Sequence, residues 1–434
     1  MVSHNPTIAA FGPRCTAVAR LRSAIGKSVA GVFRMRVVLT AAVCIAFLFA
    51  LSTGARATTI IVNSLADPGA PGICALRDAI TAANTMTATN GCAAGSGHDT
   101  IKFMVTGTIT LGSTLPEVTD SQLTITGPAA PGIAIDGDHR GQMMQVASGA
   151  TLNLNSLTIA NSNFRAGISN EGTLTVINGF FKTNSGGAID NSGRLAVANS
   201  VVFASGDSGI ANEKTGTLTV TNSTFSSNHA FNGGGVYNLG TLTVTNSTFS
   251  SNGISNPDGS GGAIFNFFGT LTVTNSTFSH NSARFGAAIY NAGTLFVTNS
   301  TFSGNAKSGP APGGGTGITN DGKASVKSTI LGANDDGNCL FNPIIDAGYN
   351  ISDDASCGIA KTGSAHNGDG VDPHLSSAGL ADNGGPTPTI ALQEGSPAID
   401  AIPAADCTDQ ASPPNPITTG QRGLPRPDAG EPAL

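Results

Sequence analysis

The unit Gly-Thr-Leu-Thr-Val-Thr-Asn-Ser-Thr-Phe-Ser-x-Asn recurs along the middle of the chain, as in Gly240–Asn252. When copies are aligned on their large apolar residue, consecutive copies lie 22 to 29 residues apart. The aligned positions are Ile159, Phe181, Phe203, Phe225, Phe249, Phe278, Phe302 and Leu331. Self-similarity at a period in the twenties is typical of a solenoid, in which each repeat packs only on its neighbours.

Within each unit, the spacing of the apolar residues predicts strands. Leu242 and Val244 alternate with threonine, which indicates a strand with one buried face. A second, shorter apolar strand follows, as in Ile289-Tyr290, between glycines and an Asn-x-Gly turn. A leucine-rich repeat has a different leucine spacing, and a propeller blade needs about 40 residues. We therefore predict an all-β fold, a right-handed parallel β-helix whose coils lie about 4.8 Å apart.

Stacked coils place equivalent residues above one another and so predict columns of identical side chains. One column is an internal phenylalanine ladder, made of Phe181, Phe203, Phe225, Phe249, Phe278 and Phe302. A second column is an asparagine ladder, made of Asn228, Asn252, Asn281 and Asn305 and extended by Asn184 and Asn334. Asparagine adopts the left-handed conformation at a bend, and its amide can bond the asparagine one coil away.

The two ends of the repeat region have their own patterns. Residues 58–100 are predicted to form an N-terminal cap, because Leu76, Ala79, Ile80 and Ala83 have helical spacing and an amphipathic helix can close an open end. Residues 101–335 are the predicted β-helix. Residues 336–434 lose the register and become rich in proline from Pro386, which predicts a loop-rich C-terminal cap.

Residues 1–57 are typical of an N-terminal extension followed by a secretory signal. Basic residues precede an apolar stretch from Val37 to Leu51, and Ala55-Arg56-Ala57 is a small-x-small cleavage site. A membrane anchor needs about 20 apolar residues, and a lipoprotein needs a small residue before Cys44, where Val43 stands. We expect a mature chain that starts near Thr58, has no membrane-spanning segment, and is secreted or held at the cell surface or cell outer membrane.

Five cysteines follow the predicted cleavage site. Cys74 and Cys92 are 18 residues apart, as are Cys339 and Cys357, and exported thiols tend to pair. We predict these two local disulfides, which leave Cys407 unpaired. Zinc is the alternative, although the chain has no Cys-x-x-Cys motif and no nearby pair of histidines.

Three segments resemble known families. The Phe-x-x-Asn units, such as Phe225-Ser-Ser-Asn228, alternate with Gly-Gly-Ala-Ile units, such as Gly261–Ile264. This pattern resembles the polymorphic outer membrane protein repeat of bacterial surface proteins, over about residues 150 to 335. The segment Cys74-Ala-Leu-Arg-Asp-Ala-Ile80 resembles the Cys-Ser-Leu-Arg-Glu-Ala-Ile motif found ahead of such β-helices, and it departs from that motif at Ala75 and Asp78.

The C-terminal region resembles the choice-of-anchor Q domain. The matching segments are Asp382–Thr389, Gly395–Asp400 and Gln421–Pro427, with Cys407 between them. Members usually continue to a Cys-Asp-Ile-Gly-Ala-Phe-Glu strand, which this chain does not show, and its absence puts surface anchoring in doubt and matches the unpaired Cys407. The resemblances together imply a surface-associated or secreted protein with a pectate-lyase-like solenoid.

Charge restricts the functional classes. Only 11% of the residues are charged and the net charge is −6, whereas a nucleic-acid partner needs a basic surface. Ten charged residues lie between residues 150 and 306, and they do not align into an acidic or basic column. The acidic loops at 334–338 and 367–372 are explained by turn composition without calcium. We therefore predict no catalytic, cofactor-binding or metal-binding residues.

Two functions remain open on the sequence. The first is a structural, adhesive or interaction role, with glycans or other surface proteins as partners. The second is a polysaccharide-binding or polysaccharide-degrading β-helix, which requires two carboxylates near a lysine or arginine in one groove. The repeat lengthens at Gly253–Gly262 and Ser308–Thr316, on one side of the solenoid. These loops are either the binding face or bends that tolerate insertion.

Overall fold

The computed structural model describes residues 57–309, 316–359 and 368–426, and apart from Ala57 the predicted extension and signal sequence lie outside them. The described chain coils into a right-handed parallel β-helix. Parallel pairing begins at Thr59 and continues to Asp369, so it extends beyond residues 101–335, where the repeat is readable. Backbone hydrogen bonds make these outer coils, and they need no repeated side chain.

Each full coil contributes a strand to three parallel sheets. The strands of sheet 1 are Thr59–Val62, Asp99–Phe103, Leu123–Thr126, Thr151–Asn155, Thr173–Ile177, Arg194–Ala198, Thr217–Thr221, Thr241–Thr245, Thr270–Thr274, Thr294–Thr298, Lys323–Lys327 and Ile345–Asp346. The strands of sheet 2 are Gly107–Thr110, Ile133–Asp136, Leu157–Ala160, Phe180–Lys182, Val201–Phe203, Thr224–Ser226, Thr248–Ser250, Thr277–Ser279, Thr301–Ser303, Ile330–Gly332, Ile351–Ser352 and Gly368–Asp369.

The third sheet is shorter, and a fourth covers one bend. The strands of sheet 3 are Met144–Val146, Ile168–Asn170, Ile189–Asn191, Ile210–Asn212, Val236–Asn238, Ile264–Asn266, Ile289–Asn291, Ile318–Asn320 and Cys339–Phe341. The strands of sheet 4 are His229–Ala230, Gly253–Ile254, Ser282–Ala283 and Ala306–Lys307. A separate antiparallel hairpin pairs Leu375–Ala381 with Thr389–Leu392.

Short elements and disulfides close the ends of the solenoid. Helix α1, Leu76–Thr85, buries Leu76, Ala79, Ile80 and Ala83, the residues whose spacing predicts it. A 3-10 helix spans Ala404–Asp406. Cys74 pairs with Cys92 and Cys339 pairs with Cys357, as the sequence predicts, while Cys407 is buried and unpaired. In the described part of the chain, no helix is long and apolar enough to cross a membrane.

A stack of phenyl rings fills the interior of the central coils. Phe225, Phe249, Phe278 and Phe302 are fully buried, and consecutive ring centroids lie 4.8, 5.0 and 4.8 Å apart. The rings are within 12° of parallel, which is the stacked arrangement that coil spacing imposes. Phe181 is also fully buried, but the coil between it and Phe225 interrupts the ladder.

The inclusion of Phe203 in this ladder is wrong. Sheet 2 pairs Phe181 with Val202 and Val202 with Phe225, so Val202 points inward and Phe203 lies outside with 39% of its surface exposed. The register is set by the left-handed bends at Thr183, Ala204 and Ser227, each of which follows its inward residue by two positions. Alignment on the larger residue shifted this coil by one, and strand alternation then turned the side chain outward.

Two asparagine columns are buried at the bends. In the first, Asn252 Nδ2 donates to Asn281 Oδ1 at 3.0 Å and to the carbonyl of Phe225 at 2.9 Å. The same pattern links Asn228 to Asn252, Asn281 to Asn305 and Asn305 to Asn334. The second column is continuous through Asn170, Asn191, Asn212, Asn238, Asn266, Asn291 and Asn320, with amide contacts of 2.7–2.8 Å. Sequence indicated only a turn there, yet this column is wholly internal.

Residues 368–426, which we name the C-terminal strap, do more than close the last coil. Tyr349 bonds Asp406, Lys327 bonds Thr408, and Asn275 bonds the carbonyl of Thr419. The strap therefore runs back towards the N-terminal coils, along the corner between sheets 1 and 2.

Two glutamine side chains fasten the strap to the coils. Gln421 donates to Thr248 Oγ1 at 3.0 Å and accepts from Thr277 Oγ1 at 2.7 Å. Gln410 donates to the carbonyl of Val297 at 2.7 Å and accepts a bond from Ser325. Each amide thus joins two adjacent coils at once, which a repeat alone could not predict.

Replacement of Phe249 by alanine should lower the free energy of unfolding by about 3–5 kcal/mol, because it opens a cavity inside a fully packed stack. The matched control, Phe203→Ala, should cost about 0.5–1 kcal/mol, because that ring is outside. Denaturant unfolding of the two variants measures the difference. Equal losses would contradict a register in which Val202, and not Phe203, points inward.

Replacement of Gln421 by alanine should detach the end of the strap, because several hydrogen bonds to the coils are lost, each contributing about 1 kcal/mol. Trypsin cleavage after Arg422 should accelerate about tenfold or more while the coils stay folded. Gln393→Ala, at an exposed position of the strap, is the control and should leave the cleavage rate unchanged. No acceleration in Gln421→Ala would show that other contacts hold the strap.

Candidate functional site: an aromatic groove on sheet 3

The outer face of sheet 3 carries one outward side chain per coil. Each of its strands buries its first residue and, in all but the last, its third, so the middle residue faces outward. In register, these outward positions are Gln145, Ser169, Asp190, Ala211, Tyr237, Phe265, Tyr290, Thr319 and Leu340. Phe265 and Thr319 are nevertheless buried, so not every outward position reaches solvent. Three consecutive coils therefore present aromatic rings on the outside.

These rings form an external stack. The centroids of Tyr237 and Phe265 lie 5.4 Å apart, and those of Phe265 and Tyr290 lie 5.0 Å apart, with the rings within 14° of parallel. Phe267 stacks on Phe265 at 5.6 Å and contacts the exposed Phe268 at 4.2 Å. Because parallel rings cover one another's faces, Phe265 in the middle of the stack is buried, whereas Tyr237 and Tyr290 on either side of it are partly exposed.

A cleft of about 650 Å³ opens at the end of this stack. Its lining residues are Asp258, Ser260, Phe285, Tyr290, Asp321, Phe341 and Asn342. Asp258 and Ser260 come from the first lengthened loop, and a backbone bridge between Ser260 and Phe285 fixes that loop beside the cleft. The cleft is open, and both aromatic and polar side chains line it.

Phe341 has a strained backbone at the cleft wall. It occupies the position next to Asn320 in the sheet 3 register, where the preceding coils place a buried asparagine. Its φ of +74° turns the ring outward, 55% exposed and 5.5 Å from the centroid of Phe285. The left-handed backbone therefore explains why this ring lines the cleft and is not buried with the asparagine column.

One ion pair and one phenol–carboxylate contact set the charge of the cleft. Arg284 Nη1 lies 2.5 Å from Asp258 Oδ1, and its guanidinium lies 5.0 Å from the centroid of Phe285, a cation–π contact. The Tyr290 hydroxyl donates to Asp321 Oδ2 at 3.2 Å. Burial first, and then the charge of Asp321, raise the pKa of Tyr290 above its ordinary value.

Carboxylates also stand at the other end of the aromatic stack. Burial first, and then the charge of Asp190, raise the pKa of Glu213. Burial and Glu213 in turn raise the pKa of Tyr237. The aromatic stack of sheet 3 therefore lies between two acidic ends, and the arginine nearest the cleft is already paired with Asp258.

The sequence located part of this site. It singled out Gly253–Gly262, which lines the cleft, and Ser308–Thr316, of which residues 310–315 lie outside the described chain. It did not find that Asp258 and Arg284 pair, because Asp258 lies in an inserted loop. It also did not find that Asp190 acts on Glu213, because the two residues lie at different positions of adjacent coils. The sequence also contains the aromatic stack. It is formed by the second residues of Val236-Tyr237, Ile264-Phe265 and Ile289-Tyr290, which strand alternation places on the outer face of sheet 3. In the described residues, no three His, Cys, Asp or Glu side chains are grouped to hold a metal ion.

Comparison with known proteins agrees with the architecture. Residues 109–269 are similar to the family model described as Right handed beta helix region. That match covers central coils and the first lengthened loop. No curated protein and no solved structure matches the chain.

Replacement of Asp321 by asparagine should lower the pKa of Tyr290, because it removes the negative charge that disfavours the phenolate. The chain has three tyrosines and no tryptophan, so ultraviolet titration follows the phenols directly. All three native phenols should titrate above their ordinary pKa of 10.0. The pKa of one phenol should decrease in Asp321→Asn, and no phenol pKa should change in the control Asp258→Asn. An unchanged titration would contradict the contact.

Proposed function

We propose that this chain is an exported β-helix protein, released or held at the cell surface, that works by binding rather than by catalysis. The signal-like segment at residues 1–57 supports export, and two disulfides are compatible with an oxidising compartment. The resemblance to polymorphic outer membrane protein repeats and to the choice-of-anchor Q region supports a place at the surface. In this proposal, the solenoid is the scaffold. The contact surface, which we call the groove, is the cleft together with the aromatic stack of sheet 3.

The aromatic cleft is the observation that carries the proposal. Exposed rings, such as that of Phe341, provide apolar faces, while Ser260, Asn342 and Asp321 provide hydrogen-bonding groups. Binding sites typically combine apolar walls with a few convergent polar groups. Sugars offer both C–H faces for the rings and hydroxyls for the carboxylate and amide oxygens. We infer that a glycan is the ligand, and an uncharged one, because the acidic groups would repel a polyuronate.

Polysaccharide cleavage is the second candidate, and one observation favours it. Asp258 and Asp321 line the same cleft, and Arg284 lies beside Asp258, which is the combination that general acid–base chemistry needs. Against it, Asp258 is held by Arg284. Binding without cleavage therefore remains the proposed activity.

Replacement of Phe341 by alanine should weaken glycan binding at least tenfold, because an exposed ring of this size contributes about 1.5–3 kcal/mol when a ligand covers it. Purified protein is titrated with neutral oligosaccharides of glucose, galactose, mannose and N-acetylglucosamine, and with oligogalacturonate, by calorimetry. The control is Phe180→Ala, a partly exposed ring on sheet 2, which should bind like the wild type.

The outcomes separate the candidates. If the wild-type protein forms new reducing ends from an oligosaccharide, and Asp258→Asn or Asp321→Asn does not, the activity is cleavage and not binding alone. If Phe341→Ala binds the glycan with the same affinity as the wild type, the groove is not the binding site. Tight binding of oligogalacturonate alone would contradict the uncharged ligand.

A further inference from the structure

Two buried carboxyl groups meet beneath the N-terminal cap, far from the groove. Asp99 begins a strand of sheet 1 and is 1% exposed, at the register position of the inward-facing Leu123. Ser96 donates from its backbone N–H at 2.9 Å and from its hydroxyl at 3.0 Å, and the Gly97 N–H donates at 3.2 Å. The oxygens of Asp99 therefore act as acceptors.

The second carboxyl group has an unsatisfied oxygen. Asp120 is 5% exposed, and its Oδ1 accepts from the Gln122 N–H at 3.2 Å. Its Oδ2 is buried and has no hydrogen-bond donor among the described residues. The chain brings the two groups together through Gln122, whose carbonyl accepts the Asp99 N–H at 3.0 Å and whose own N–H donates to Asp120. Two adjacent buried anions repel each other, whereas a protonated Asp120 would donate to Asp99 and satisfy both groups.

Helix α1 is tied to this pair. Asn84 Oδ1 accepts the backbone N–H of Thr119 at 3.0 Å and of Asp120 at 3.2 Å, and its Nδ2 donates to the carbonyl of Glu117. Gly95, just before the Asp99 loop, donates to the carbonyl of Ala82 in the helix. A change in the carboxyl pair would therefore be transmitted directly to the cap.

We propose that Asp99 and Asp120 share one proton, and that this proton fastens the N-terminal cap so that the cap loosens when the proton leaves at higher pH. The proposal concerns the end of the solenoid and does not depend on what the groove binds. Loosening would free helix α1 and the edge strand Thr59–Val62 while the central coils stay folded, because coils of a solenoid contact only their neighbours.

The surrounding charges agree with a proton on Asp120. Burial is the largest cause that raises the pKa of Asp120, and the charge of Asp99 raises it further, while the Gln122 N–H and His98 act in the opposite direction. On helix α1, Arg77 is engaged by Asp67, and Asp78 by Gly69 and Asn90. These pairs leave Asp99 and His98 as the described charges that act on Asp120.

The sign of the pH effect follows from the raised pKa. A group with a higher pKa in the folded state gives its full stabilisation below its unfolded pKa, which is 3.8 for aspartate, and loses it as pH rises through the folded pKa. One proton changes the opening equilibrium by at most tenfold per pH unit. The cap should therefore open more readily above pH 3.8, until Asp120 is fully ionised.

Replacement of Asp120 by asparagine tests the proposal, because the amide donates to Asp99 as the protonated acid does but cannot ionise. Hydrogen exchange of the α1 amides is measured across pH in wild type, Asp120→Asn and the exposed control Asp138→Asn. As pH rises, the opening constant of the wild-type cap should increase, relative to that of Asp120→Asn, by up to tenfold per pH unit. Asp138→Asn should follow the wild type. The protected amides of Thr241–Thr245 serve as an internal check that the solenoid is folded.

Three results would overturn the proposal. In the first, Asp120→Asn and wild type open equally at every pH. In the second, Asp120→Asn opens more than the wild type throughout, which would mean that the anion stabilises the cap. In the third, calcium ions protect the wild-type cap and a chelator reverses the effect, which would mean that a cation joins the carboxylates. The companion variant Asp99→Asn should open at all pH values and lose the pH dependence, because it removes the acceptor itself.

Discussion

Hydrogen bonding of side-chain amides between coils is the constraint on which the rest of this structure depends. A parallel β-helix bends sharply three times per coil, and at a bend the backbone groups of the interior lose their sheet partners. Asn252 resolves this by donating to the carbonyl of Phe225 and to Asn281 at once, while its own oxygen accepts from Asn228. A buried polar group without a partner costs about 1–3 kcal/mol. The two asparagine columns therefore fix the register, and the phenyl stack follows from them.

Because the interior is specified by columns, most of the fold could be predicted from the sequence. The inward Leu and Val of sheet 1, the rings from Phe225 to Phe302, and the helix at Leu76–Thr85 all follow from spacing alone. Phe203 was placed in the ladder because a valine fills the inward position of its coil and the larger residue lies one position later. The signal that corrects it is Asn199, which lies three residues before Val202 as Asn178 and Asn222 lie three residues before Phe181 and Phe225; all three asparagines are left-handed.

The C-terminal strap shows a second limit of sequence analysis. Gln410 and Gln421 reach threonine, serine and backbone groups that lie more than 80 residues earlier in the chain. Any exposed threonine of the repeat could accept such a contact, so the pairing has no local pattern. The consequence for function is spatial. The strap bonds the corner between sheets 1 and 2 over the later coils, and within the described residues Tyr237 and Tyr290 of sheet 3 keep part of their surface exposed.

The difference between the inward and outward positions of sheet 3 explains why the candidate site lies where the repeat is least regular. The inward residues of sheet 3 are fixed by packing and by the asparagine column, but its outward residues touch only their neighbours and can vary from coil to coil at little cost in stability. Along that outward column the side chains change from Asp190 through Tyr237 and Tyr290 to Leu340. Phe341 takes the next position of the inward asparagine column, where the preceding coils have a buried asparagine. Its left-handed backbone directs its ring to the cleft. Asn320 Nδ2 then donates to the carbonyls of Asn342 and Pro343, so the asparagine column ends at this coil and the next side chain is released to line the cleft.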